Sequence, residues 1–122
     1  MALKRNDVIS QWHGLITSGG YDVLITPSAE HTALPHDEFC ITPYTAVWNL
    51  VDFPACVVPF LAADESLDGP DPNLPLYNPK DVHGAPGSFQ VVGLRQMDEE
   101  LIHAVEIISR DLEAASPAKA QL

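Results

Sequence analysis

Positive charge is scarce in this chain. Of 122 residues only six are Lys or Arg, against 17 Asp and Glu, and the net charge is −11. The six cations (Lys4, Arg5, Lys80, Arg95, Arg110 and Lys119) are scattered. A nucleic-acid surface needs them clustered, to displace counterions from phosphates. The same deficit argues against docking on anionic lipid. Cysteine is scarce too. Cys40 and Cys56 form neither a disulfide framework nor a zinc cluster, and no Cys-x-x-Cys is present. Both read as free thiols of a reducing compartment, with Cys56 buried. Long hydrophobic runs are missing. The longest, FPACVVPFLAA, is too short for a bilayer and holds two prolines. The opening MALKRNDV lacks the apolar core of a signal peptide. These absences lead to the expectation of a cytoplasmic chain with no nucleic-acid and no membrane partner.

Catalytic signatures are equally sparse. None of the seven serines sits in Gly-x-Ser-x-Gly, and no Gly-x-x-x-x-Gly-Lys phosphate cradle occurs. Ser88, in GAPGSF, follows a glycine at the start of an apolar run. As a nucleophile it would need a base such as His83 within hydrogen-bond reach; a turn or strand-start serine is the plainer reading. His31, His36, Asp37 and Glu38 lie together in EHTALPHDE, but a proline-containing loop is a poor frame for metal ligands. Asp64, Asp68, Asp71 and Asp81 lack the spacing and closing Glu of a calcium loop. His103 follows Glu99 by four residues and reads as an exposed helical pair. His13 lies off its helix's apolar stripe and reads as solvated. No cofactor and no metal is expected.

What is present is apolar patterning, in a length that suits one domain spanning 1–122. Residues 2–17 carry Val8, Ile9, Trp12, Leu15 and Ile16 on one stripe and predict a helix closed by Ser18-Gly19-Gly20. YDVLITP reads as a buried strand stopped by Pro27. A polar loop spans 28–41. Thr42 suits an N-cap and Pro43 a first helical position, and Tyr44, Val47, Trp48 and Val51 make a short amphipathic helix. ACVV at 55–58 has no polar face, the mark of a strand covered by helices on both sides in a parallel or mixed sheet. Residues 64–88 are irregular and hold five of the eleven prolines. FQVVG at 89–93 is a third buried strand. Asp98-Glu99-Glu100 opens a last helix at the positive end of its dipole. Leu101, Ala104, Val105, Ile108 and Leu112 form its stripe, which Ile102 and Ile107 widen towards a second neighbour. Residues 114–122 read as a frayed tail. The layout is α/β, with about three strands and three helices. It reads as a fragment of a large mixed sheet flanked by helices.

The segments YDVLITPSA, YTAVWNLVDFPACVVPF and GAPGSFQVVGLRQMDEELIHAVEII, in this order, resemble the C-terminal end of amidase signature enzymes, most closely the fungal acetamidase-like branch. The marks are Asp22, Pro27, Tyr44-Thr45, Trp48-Asn49, Pro54-Ala55, Pro59, Pro86, Gln90, Gly93 and Glu99-Glu100, and the resemblance runs from about Asp7 to Leu112. There are departures. Gly87 stands where a branched apolar residue is usual, which loosens the start of the third strand. Ser88 stands where many members have glycine, and Gln96 near a place that is often basic.

The resemblance implies amide hydrolysis by a serine nucleophile, a second serine in a cis peptide and a lysine, all in the family's N-terminal two-thirds. This chain has no two adjacent serines and no Gly/Ser-rich segment, so no catalytic residue carries over. It also implies that the C-terminal segment lines part of the substrate pocket. Trp48 and the loop after Pro59 are then the places to look, with core packing as the alternative for Trp48. Two readings follow. One is an amidase fragment without its own catalysis. Its partner is the missing N-terminal amidase portion, and it meets a small amide only in the intact enzyme. The other is a non-catalytic binding or dimerisation module, pairing with a second copy of itself.

Overall fold

The computed structural model describes residues 2–32, 43–70, 72 and 77–115. The Thr42 cap, His36, Asp37, Glu38, Cys40, Asp71, most of the 28–41 loop and residues 116–122 lie outside the described residues. The elements are α1 (Ala2–Gly19), β1 (Leu24–Pro27), α2 (Pro43–Val51), β2 (Ala55–Ala62), β3 (Pro86–Val92) and α3 (Asp98–Ala115).

The sheet order is β1-β3-β2, and both pairings are antiparallel. The α/β class therefore holds, but no parallel pair exists among the described residues. Leu24 faces Val92 on one side of β3, and Ala55 faces Val92 on the other. Two apolar clusters sandwich this sheet. On one face Ile16, Trp48, Val51, Phe53 and Val92 are buried, with Ile9, Trp12 and Val47 packed against them. On the other, Val58, Val91 and Leu101 are buried, with Val105, Ile108 and Leu112 packed against them. So α1 and α2 cover one face and α3 covers the other. Val91 and Val92, adjacent on β3, serve opposite clusters because side chains alternate along a strand.

Several expectations change in detail. The α1 stripe is narrower than its pattern: Ile9, Trp12 and Ile16 pack, while Val8 and Leu15 are exposed. The narrow stripe packs against α2 and the sheet face around Val92. Gly20, at φ 66°, closes α1, with its N–H on the Thr17 carbonyl and that of Tyr21 on the Ile16 carbonyl. The first strand is half-buried, with Ile25 exposed. The helical turns 114–115 belong to α3. Cys56 is half-buried with a free thiol.

The largest difference lies in β2. It runs past Pro59 to Ala62, with an irregular register between Pro59 and Ala62 and with Leu61 at φ 60°. Proline is tolerated because β2 is an edge strand. Its ACVV core was expected to be covered on both faces. Instead Val57, Phe60 and Leu61 are exposed, since α1 and α2 reach only as far as β1 and β3.

The β2 irregularity also accounts for Gly87. A Cβ built there would stand 2.9 Å from the Phe60 carbonyl oxygen. Gly87 thus admits the bulged backbone of β2, and β3 begins at Pro86 rather than at Phe89. The strand start is paired, not loosened. The connection from β2 to β3 is pinched at its neck by Ala63 N–H on Ala85 O and Gly84 N–H on Ala63 O.

Candidate functional site

Trp48 sits in the middle of α2, whose stripe turns it under α1. It is 4% exposed. Trp12 meets it edge-on at 5.0 Å between ring centroids, and Phe53 stacks on it at 6.4 Å and 19°. This is core packing. One feature departs from it: the buried indole Nε1 has no hydrogen-bond partner.

Trp48 also borders a cleft of about 320 Å³, shared with Asn49, Asp52, Phe53, Arg95 and Gln96. Asp52 ends α2 at φ 62°, and Gln96 follows β3 at φ 61°. Both are left-handed residues that sharpen the chain reversals framing the cleft. The Arg95 guanidinium closes it by pairing with the Asp52 carboxylate at 2.5 Å. Gln96, near a place often basic in the family, therefore lies beside an arginine already held by a carboxylate. The cleft holds polar groups but no nucleophile with a base.

Gln90 holds the opposite end of α2. It is 1% exposed, and its Nε2 donates to the carbonyls of Pro27 and Tyr44 at 2.8 and 2.7 Å. One side chain thereby ties β3 to the end of β1 and to the first turn of α2. This role was not read from the sequence, although a lone amide inside the apolar FQVVG is its signal. A buried amide must find partners.

The other sequence candidates are placed as follows. Ser88 meets Ser28 across β1 and β3, with hydroxyl oxygens 2.6 Å apart, and the Ser28 hydroxyl also reaches the Ser88 carbonyl. His83 does not approach it. Its Nδ1 accepts the Glu65 backbone N–H at 3.2 Å and lies 4.0 Å from Asp64. The Ser88–His83 pair is therefore not assembled, and the strand-start reading of Ser88 stands. Asp64 accepts the hydroxyl and backbone N–H of Ser66, which hold its carboxyl below the ordinary 3.8. Asp68 accepts the Asp64 N–H, and Asp81 accepts the Asn78 amide. These acids fasten turns. His31 lies 3.9 Å from Glu30. His103 is exposed as expected, and its Nδ1 lies 3.9 Å from Glu106 rather than beside Glu99. His13 is exposed. Among the described residues no three His, Cys, Asp or Glu side chains gather as metal ligands, and no helix is long and apolar enough to cross a membrane.

Comparison with known proteins places this arrangement. The family described as Amidase matches residues 1–102. An amidase of Gibberella moniliformis is 42% identical over 109 residues, covering 89% of this chain and 20% of that protein. An acetamidase of Emericella nidulans is 31% identical over 100 residues, covering 73% of this chain and 18% of that one. Among solved structures, a fatty acid amide hydrolase superposes with a TM-score of 0.78 at 26% identity, over 90% of this chain and 22% of its own. The chain spans about one fifth of the length of these relatives.

Proposed function

The chain belongs to the amidase family, and from that premise we propose that it is the C-terminal part of an amide hydrolase and is inactive alone. It supplies sheet and helices, and the preceding part of the enzyme supplies the serines and lysine that cleave the carbon–nitrogen bond. The observation that carries this reading is the one-fifth coverage of the amidases, joined to a sequence without adjacent serines. The only serine pair brought together among the described hydrogen bonds, Ser28 with Ser88, has its nearest sequence histidine turned to a backbone amide instead. Trp48, bordering the cleft at the end of α2, is the residue we assign to the wall of the amide pocket in the intact enzyme. A cytoplasmic location belongs to the same reading.

Ammonia release from acetamide and longer primary amides tests the absence of catalysis. Purified chain is expected to match buffer. Turnover above buffer that Ser88→Ala removes would overturn the proposal.

A further inference from the structure

We propose that His83 is a proton-operated latch on the connection from β2 to β3. Neutral, it fastens the turn at 64–68; protonated, it releases that turn and the cavity wall the turn carries. The proposal goes beyond the amide-hydrolase reading and does not depend on it.

The latch is a single nitrogen. His83 Nδ1 accepts the Glu65 backbone N–H at 3.2 Å, across 18 positions of sequence. A ring nitrogen that accepts carries no proton, so the neutral imidazole holds its proton on Nε2. Protonation fills Nδ1. Two N–H groups then face each other, and the bond is lost. The same proton makes Nδ1 a donor, which the Asp64 carboxylate, with Oδ1 4.0 Å away, draws towards itself. Both changes pull the ring off Glu65. The His83 side chain is 53% exposed, so protons reach it. The other charged groups along this connection include Glu65, Asp68, Lys80 and Asp81. Among the described residues, Asp64 alone brings a carboxylate within 4.0 Å of the ring nitrogens.

What the latch holds is a closed unit. The N–H groups of Leu67 and Asp68 both bond the Asp64 carbonyl, at 2.9 and 2.8 Å. The Asp68 carboxylate accepts the Asp64 N–H at 2.9 Å. Carboxylates ordinarily titrate at about pH 4 and histidine at about pH 6.5, so the turn keeps these bonds while the latch opens. The neck behind it, Ala63 with Ala85 and Gly84, is bonded through backbone alone and has no charge to change. The released turn therefore pivots as one piece on a fixed neck. Leu67 and Asp68 wall a cavity of about 510 Å³, whose lining also includes His31 and Ser88. Opening the latch moves that wall.

The test is a titration of the ¹⁵N-labelled chain by NMR, across the range of pH in which histidine changes charge. At its alkaline end the His83 ring is expected to show the Nε2–H tautomer. As pH falls, the Glu65 amide resonance is expected to move with the same midpoint as the His83 ring protons, and the Leu67 and Asp68 amides to move with it. His83→Gln carries no group that titrates in this range and is expected to leave the Glu65 amide still. His83→Ala removes the acceptor and is expected to hold that amide near its acid position throughout. Both changes fall on a half-exposed ring, and their circular-dichroism spectra are expected to match wild type. An Nδ1–H tautomer in the neutral ring would overturn the latch. So would a Glu65 amide that ignores the His83 midpoint, or one that still titrates in His83→Gln. Leu67 and Asp68 amides that stay still while Glu65 moves would overturn the moving wall.

Discussion

Two buried polar groups stand in opposite situations. The Gln90 amide is satisfied by two carbonyls on two other elements. Replacing it with leucine keeps the volume but removes both bonds, leaving the Pro27 oxygen the longer 3.5 Å contact from the Thr26 hydroxyl. Unsatisfied buried acceptors cost about 1–3 kcal/mol each, so Gln90→Leu is expected to lower the urea midpoint by the equivalent of ~2 kcal/mol or more. A midpoint within error of wild type would show that these bonds hold nothing. The Trp48 indole N–H is buried without a partner and so carries a penalty of that kind already. Trp48→Phe removes it while retaining a ring between Trp12 and Phe53, and stability is expected to stay within about 1 kcal/mol of wild type. Trp48→Ala empties the same space and is expected to cost about 3–5 kcal/mol. Far-UV circular dichroism should follow both, because the mutations remove one of the two tryptophans.

At the scale of elements, β2 and β3 fit together through a local accommodation. The bulge at Pro59–Ala62 presses the Phe60 carbonyl to within 2.9 Å of any Cβ at position 87. Backbone cannot yield as a flexible side chain does. Gly87→Val, which restores the residue type usual in the family, is expected to destabilise this chain by about 1–3 kcal/mol, read as a drop in Tm. A rise in Tm would mean that the bulge is not held by the Gly87 contact. The loop these strands enclose responds to acid. Asp64 is held below 3.8 by the Ser66 hydroxyl and backbone N–H, with a smaller contribution from His83. A carboxyl depressed in the folded state stabilises it above the ordinary value, and that contribution fades as pH falls through the lower folded value. The Ser66 amide resonance is therefore expected to titrate with a midpoint below pH 3.8. A midpoint at or above 3.8 would contradict the hydrogen bonds.

The whole molecule is a sheet with helices on both faces, but part of the edge strands and of α3 stays uncovered. Ile25 on β1, Val57 on β2 and Ile102 and Ile107 on α3 are all exposed. An isolated chain with this surface is expected to bind a hydrophobic dye such as ANS and to melt broadly. A sharp, dye-silent melt of the monomer at high temperature would argue for a self-sufficient domain. The exposed isoleucines of α3 were legible as a stripe too wide for one neighbour. Among the described residues no element covers them.

The sequence by itself determined the element order, the amidase resemblance and the absence of adjacent serines. Each of these rests on local spacing: period 3.6 at Leu101, Val105, Ile108 and Leu112, apolar runs at 55–58 and 89–93, and motif residues in fixed order. Only the tertiary structure decided which strand is central, that both pairings are antiparallel, that Gln90 latches three elements, and that Ser88 meets Ser28 rather than His83. These depend on contacts between residues some 46 to 63 positions apart. A run apolar on both faces announces that it will be covered. It does not say by what, because apolar contact is non-directional; direction comes from hydrogen bonds, whose partners are set by the fold.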